Sequence, residues 1–341
     1  VFLDSLVASL LFSIFGKNPF MKTVKWGIIG CGKVTEVKSG PALQLAENSE
    51  LVAVMRRNGA KAKDYARRHN VPKWYCDAEK LINDPDVDAV YIATPPSSHK
   101  EYTLMTANAG KPVYVEKPMA LNYHECREMI DACETAGVPL FVAYYRRALP
   151  RFLAIRKMID DGKIGQVRFV HTTFYAPPTK DDIAGRDNWR VNPEISGGGY
   201  FVDLGCHTLD ILQFFFGDII SATGHAANQG GFYKAEDFVN GLYIFASGVQ
   251  GSGNWCFTAA SSLERTEIIG EKGKITFATF GNDPVMLETN EGTESYNLSN
   301  PLHIQQPLIQ TIVDELLGFG KCPSTGQSAS RTSWAMDRMM G

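Results

Sequence analysis

From Met21 to about Tyr144, short apolar runs alternate with segments of helical periodicity. The runs are Val24–Ile29, Leu51–Met55, Ala89–Ala93, Pro112–Val115 and Leu140–Ala143. They lack an apolar–polar alternation, as expected of strands covered on both faces. Between them, Lys61–His69, His99–Ala109 and Tyr123–Ala136 read as helices. Repeated strand–helix units predict a parallel, doubly wound sheet. The pattern then changes. Leu149–Asp160 reads as an amphipathic helix, Val167–Tyr175 as a strand and Phe201–Phe216 as a strongly apolar helix. From Ile219 to about Leu287 alternating strands dominate, among them Phe238–Phe245 and Glu267–Ile269. Gly273 is placed in a hairpin turn before Ile275–Ala278. Helices Ile304–Leu317 and Ala329–Met339 close the chain. The predicted class is α/β. Residues 21–144 form a doubly wound parallel sheet, and residues 145–341 form an α+β domain with an open, mostly antiparallel sheet.

The first twenty residues stand apart. Leu6 to Phe15 is apolar but too short to span a bilayer as a helix. Asp4 is the only charge before Lys17, so the basic start of a secretory signal is missing. Met21 reads like a natural start, and residues 1–20 are expected to be a non-native or disordered extension. Among 341 residues the formal net charge is −3, which gives no basic footprint for nucleic acid. The seven cysteines lie singly, none in a Cys-x-x-Cys pair. Free thiols in a reducing, cytoplasmic setting follow, and no structural metal site is expected.

The first apolar run empties into Gly30-Cys31-Gly32, a turn fit for a dinucleotide pyrophosphate. Gly30 allows the tight turn, and Gly32 allows close approach to the backbone. The helix start at Lys33 and Val34 presents amide N–H groups. Thr35 stands where the third glycine of the Rossmann fingerprint is expected. The second run ends in Arg56-Arg57-Asn58 rather than in an acid. Two guanidiniums suit a ribose 2′-phosphate, so NADP(H) is expected over NAD(H). Thr94-Pro95-Pro96 and His99 follow the next strand at the same carboxyl edge, where the nicotinamide side of a cleft belongs. His99 is assigned a minor binding role.

Val113-Tyr114-Val115 runs straight into Glu116-Lys117-Pro118. Pro118 cannot extend a central strand, so Lys117 is left at the rim. In the apolar helix, Asp203 precedes His207 by four positions and shares its helix face, while Asp210 lies three positions beyond, either to orient the imidazole or to face solvent. Hydride exchange at a carbinol carbon needs a positioned nicotinamide, a proton acceptor and a group that stabilises charge on oxygen. Lys117 and His207 can divide the last two tasks, and either could transfer the proton.

These elements together resemble the Gfo/Idh/MocA oxidoreductases, the glucose–fructose oxidoreductase and inositol dehydrogenase group. The resemblance rests on Gly30-Cys-Gly32, Ala93-Thr-Pro-Pro-Ser-Ser-His99, Val115-Glu-Lys-Pro118, Gly197-Gly-Gly199 and Asp203-Leu-Gly-Cys-His-Thr-Leu-Asp210, and covers Val24 to the C-terminus. It implies an N-terminal Rossmann domain and an open C-terminal sheet that mediates homodimers or homotetramers. It also implies NAD(P)-dependent oxidation or reduction of sugars, cyclitols and related polyols. By this resemblance Lys117, Asp203 and His207 are catalytic, and Glu116 lies near the nicotinamide. Tyr145, Arg146, Trp189 and Arg190 meet the substrate or cofactor. In that setting, burial beside a cationic nicotinamide is expected to lower the Lys117 pKa. An NADPH-dependent sugar or polyol reductase is the leading expectation. A redox-neutral hydrolase or epimerase with retained NAD and a non-catalytic nucleotide-binding regulator are the alternatives. No nucleic-acid or membrane partner is expected.

Overall fold

The computed structural model describes residues 22–341. The expectation for residues 1–20 lies outside the described residues. Six strands form the first sheet: β1 (Val24–Ile29), β2 (Ser49–Met55), β3 (Lys73–Tyr75), β4 (Ala89–Ile92), β5 (Val113–Val115) and β6 (Leu140–Val142). Their spatial order is β3-β2-β1-β4-β5-β6 and every pairing is parallel. This is the doubly wound Rossmann order, with its switch point between β1 and β4. The central strands are buried on both faces, which is why their sequences read as unbroken apolar runs. β3 lacks such a run; it is a three-residue edge strand with Trp74 exposed.

The second sheet holds eight strands: β7 (Val167–Tyr175), β8 (Ile219–Ala227), β9 (Phe238–Phe245), β10 (Gln250–Cys256), β11 (Leu263–Gly270), β12 (Gly273–Phe277), β13 (Val285–Thr289) and β14 (Gly292–Tyr296). The order is β14-β13-β12-β11-β7-β10-β9-β8, antiparallel except for the β10–β7 pair. Gly273 is not in the turn: it opens β12, and Glu271-Lys272 make the connection. One face packs on helices Pro150–Asp160 and Cys206–Phe216, through Phe152 and Phe215 on Phe277 and Phe216 on Phe245. The other face leaves Phe169, Leu242 and Ile244 exposed.

Two departures bear on the site. Phe201–Phe216 is not one α-helix. Phe201–Gly205 winds as a π-helical turn before the α-helix Cys206–Phe216 begins. The chain end also returns to the first sheet. Thr325 bridges Phe141 of β6, the Ser324 hydroxyl donates to the Val142 carbonyl, and helix Gly326–Met340 packs on helix Tyr123–Thr135. Helix Gln306–Leu317 lies against the first sheet's side of the molecule and carries Gln305 in front of it.

Candidate active site

A cleft of about 870 Å³ runs along the carboxyl edge of the first sheet, between it and the π-helical turn. Its floor starts at Gly30, whose φ of +93° is a left-handed conformation that favours glycine. A Cβ there would also lie 2.7 Å from Thr94 Cγ2. Gly32 differs: the nearest atom to a Cβ would be the Gly30 carbonyl oxygen at 3.7 Å, so its backbone faces open space. A pyrophosphate fits that space, and no side chain blocks it. Thr35 does not weaken the turn. Its hydroxyl donates to the Gly32 carbonyl and accepts from the Gly32 N–H, both at 2.9 Å, and its carbonyl accepts from Tyr65. Close packing falls instead to Gly40, where a Cβ would stand 2.3 Å from the Thr35 carbonyl.

Lys33, Val34, Arg56, Arg57, Thr94, Pro95 and Pro96 all line this cleft. Arg56 Nη1 donates to the Cys31 carbonyl at 3.3 Å, which ties the end of β2 to the glycine turn. His99 does not line it. Its ring is buried, with Nδ1 against the Pro118 and Met119 carbonyls and Nε2 against the Thr94 carbonyl. The imidazole therefore shapes the loops from beneath rather than touching a ligand.

β5 delivers Glu116 and Lys117 to the rim. Glu116 is buried and accepts from Tyr91, from Gln305 Nε2 at 2.7 Å and from the Lys117 N–H. Lys117 Nζ donates to Asp203 Oδ1 at 2.6 Å and to the Asp203 carbonyl at 2.8 Å. Burial works to lower the Lys117 pKa, but the Asp203 carboxylate outweighs it and the pKa is raised above its ordinary value. The expected depression is thus reversed. Burial likewise opposes the Asp203 carboxylate, yet Lys117 and Arg190 hold its pKa below the ordinary value.

Asp203 does not orient His207. Its second oxygen, Oδ2, accepts from Arg190 Nε at 3.2 Å. Both nevertheless line the cleft, Asp203 from the π-helical turn and His207 from the first turn of the α-helix that follows. Asp210 neither orients the imidazole nor faces solvent: it is buried in an ion pair with Arg147, whose Nε and Nη2 donate to Oδ2 and Oδ1. His207 itself is only 3% exposed and lines the cleft. It sits among Tyr144, Tyr145 and Phe280, with ring centroids 5.5–5.9 Å away. Its Nδ1 has no protein partner. Burial, and then the charges of Arg146, Lys117 and Lys38, hold its pKa well below 6.5, so the ring is neutral at ordinary pH.

Tyr145, Trp189 and Arg190 line the cleft. Arg146 does not. It lies behind the wall, its guanidinium 4.3 Å from the Phe280 ring centroid and its Nε donating to the Thr279 carbonyl. Sequence reasoning missed Lys38, Phe280 and Gln305, which also line the cleft. Lys38 is near the glycine turn in sequence and was open to the same reasoning; Phe280 and Gln305 carry no local motif. Among the described residues no group of three or more His, Cys, Asp or Glu side chains can hold a metal ion. No described helix is long and apolar enough to cross a membrane.

A glycine turn shaped for a pyrophosphate, beside a rim of lysine, carboxylate and neutral imidazole, defines an NAD(P)-dependent oxidoreductase. Residues 24–144 match the oxidoreductase family with NAD-binding Rossmann fold, and residues 152–276 match the GFO/IDH/MocA C-terminal domain. The chain belongs to the Gfo/Idh/MocA family. Oxidoreductase P35 of Formosa agariphila is 42% identical over 319 residues, 93% of this chain and 98% of that protein. The 1,5-anhydro-D-fructose reductase of Ensifer adhaerens is 30% identical over 315 residues, 89% of this chain and 91% of that protein. The fold is shared with an aldose-aldose oxidoreductase from Caulobacter crescentus complexed with glycerol. There the TM-score is 0.83 at 23% identity, over 93% of this chain and 96% of that one.

Proposed function

We propose that this protein exchanges hydride between NADP(H) and a carbinol or carbonyl carbon of a sugar, cyclitol or related polyol, working as an NADPH-preferring reductase. One observation carries the reading: the glycine turn, Lys117, Asp203 and His207 line a single cleft. The reductase named among the relatives supports the sugar class. Arg56 and Arg57, at the end of β2 with no acid beside them, favour a 2′-phosphate.

A nicotinamide bound beside the glycine turn would supply or take the hydride. Lys117 donates to the substrate oxygen and stabilises negative charge developing there. Asp203 keeps that ammonium charged and fixes its direction. His207, neutral and lining the cleft, accepts the hydroxyl proton in oxidation and, once protonated, returns it in reduction. The division follows from the two pKa directions: the raised lysine holds its proton, and the lowered imidazole gives its proton up. The exposed row Ile244, Gln250 and Phe169 across β9, β10 and β7 supports a homodimer or homotetramer through that face.

Single-turnover hydride transfer, followed by NADPH absorbance, tests the assignment. His207→Asn and Lys117→Met are each expected to slow transfer by roughly a hundredfold or more. Near-normal transfer by His207→Asn across pH would remove its role. A lower Michaelis constant for NADH than for NADPH would overturn the cofactor choice.

A further inference from the structure

Resting on that reading, we propose that the substrate carries a carboxylate, as a sugar acid does, and that Arg190 and Lys38 receive it. The argument begins with the ionised side chains of the cleft. Lys33, Arg56 and Arg57 flank the glycine turn and the end of β2, where the cofactor's phosphates belong. The rest of the cleft lining keeps Lys38, Lys117 and Arg190, with Arg146 behind the wall.

Against these cations stand two lining carboxylates, and both are engaged. Asp203 gives Oδ1 to Lys117 and Oδ2 to Arg190. Glu116 is occupied by Tyr91, Gln305 and the Lys117 N–H. One carboxylate thus serves two cations, and Lys38 has no acid partner among the described residues. The surplus is positive and surrounds a neutral imidazole. An uncharged polyol would leave that surplus unmatched and would find few free acceptors for its hydroxyl protons. An anion answers both conditions.

Arg190 is built to receive it. Its Nε is tied to Asp203 Oδ2 at 3.2 Å and its guanidinium lies 4.5 Å from the Trp189 ring centroid. Those two contacts fix the plane of the group. The terminal nitrogens have no acceptor among the described residues, and the side chain is 43% exposed. A planar fork held at one end and free at the other matches a carboxylate bidentately. Holding it in place beforehand lowers the ordering cost on binding. Lys38 lines the same cleft and lies close enough to His207 to disfavour its protonation.

Matched pairs test this with the whole enzyme: D-fructose against D-fructuronate with NADPH, and D-glucose against D-glucuronate with NADP+. The acid member is expected to show a kcat/KM roughly tenfold higher or more, mostly through KM. Added salt is expected to narrow the ratio. Arg190→Met and Lys38→Gln are each expected to reduce it, and Arg190→Lys to retain part of it. The Lys38 side chain makes no hydrogen bond to the described residues, so Lys38→Gln keeps the test open if Arg190→Met misfolds. A neutral member equal to or better than its acid overturns the inference and leaves the hydride-transfer reading standing. An acid preference untouched by both Arg190→Met and Lys38→Gln overturns the assignment to these residues. Turnover of no member of either pair takes down both readings.

Discussion

Lys117 Nζ lies 2.6 Å from Asp203 Oδ1 and 2.8 Å from the Asp203 carbonyl, across 86 positions of chain. Both side chains are mostly buried, so each depends on the other for its charge. Removing one partner strands an ion, at a cost of about 3–5 kcal/mol. Asp203→Asn strands Lys117 more completely than Lys117→Met strands Asp203, which keeps Arg190. Thermal unfolding is therefore expected to rank Asp203→Asn as the less stable variant. The double variant Lys117→Met/Asp203→Leu is expected to regain stability but not hydride transfer. Recovery of both would show that the pair has no part in the chemistry.

The His207 ring carries the main pH prediction. Its folded pKa lies well below the ordinary 6.5, through burial first and then through the facing charges of Arg146, Lys117 and Lys38; Asp203 on the preceding turn is already paired with Lys117 and Arg190. As pH falls below 6.5 the unfolded chain binds the proton first. Stability is thus full above 6.5 and declines as pH drops towards the folded pKa. Buried His99, whose pKa is also lowered, adds to the same decline. Denaturant unfolding over that window is expected to show a shallower slope for His207→Asn. In kinetics of the oxidation direction, where neutral His207 takes the proton, the acid limb of kcat/KM is expected well below 6.5, and Arg146→Met is expected to move it upward. A limb fixed at 6.5 in both proteins would contradict the account.

The sequence displayed those features whose cause is local. β1, β4 and β5 were legible because strands buried on both faces must be apolar throughout. The turn at Gly30 was legible because a positive φ calls for glycine. What arrives from a distance was hidden. Gln305 meets Glu116 across 189 positions, and Arg147 meets Asp210 across 63. The Asp203–His207 spacing left one thing out: the Asp203 carboxylate is engaged by Lys117, 86 positions away, and by Arg190. His99 misled because its position at the strand edge was right while its ring turned inward to backbone carbonyls.

Glu264 supports a prediction remote from any ligand. Its carboxylate accepts backbone N–H groups from Thr279, Phe280 and Gly281, the loop that leaves β12. That loop carries Phe280, whose ring centroid lies 5.5 Å from that of His207 and 4.3 Å from the Arg146 guanidinium carbon. Arg146 Nε in turn donates to the Thr279 carbonyl at 2.9 Å. Glu264 therefore positions one aromatic wall of the cleft without touching the reacting atoms. Glu264→Gln replaces an acceptor oxygen by an amide that cannot accept, so the clasp on the loop is partly undone. The expected result is a fall in kcat/KM of roughly tenfold, carried mainly by substrate KM, with cofactor affinity unchanged. Phe280→Leu is expected to give a similar loss, and the two substitutions together little more than either alone. Faster amide exchange at residues 279–281 in Glu264→Gln would accompany the change. Fully additive losses, or a shift in cofactor affinity alone, would show that Glu264 acts on something other than the Phe280 wall.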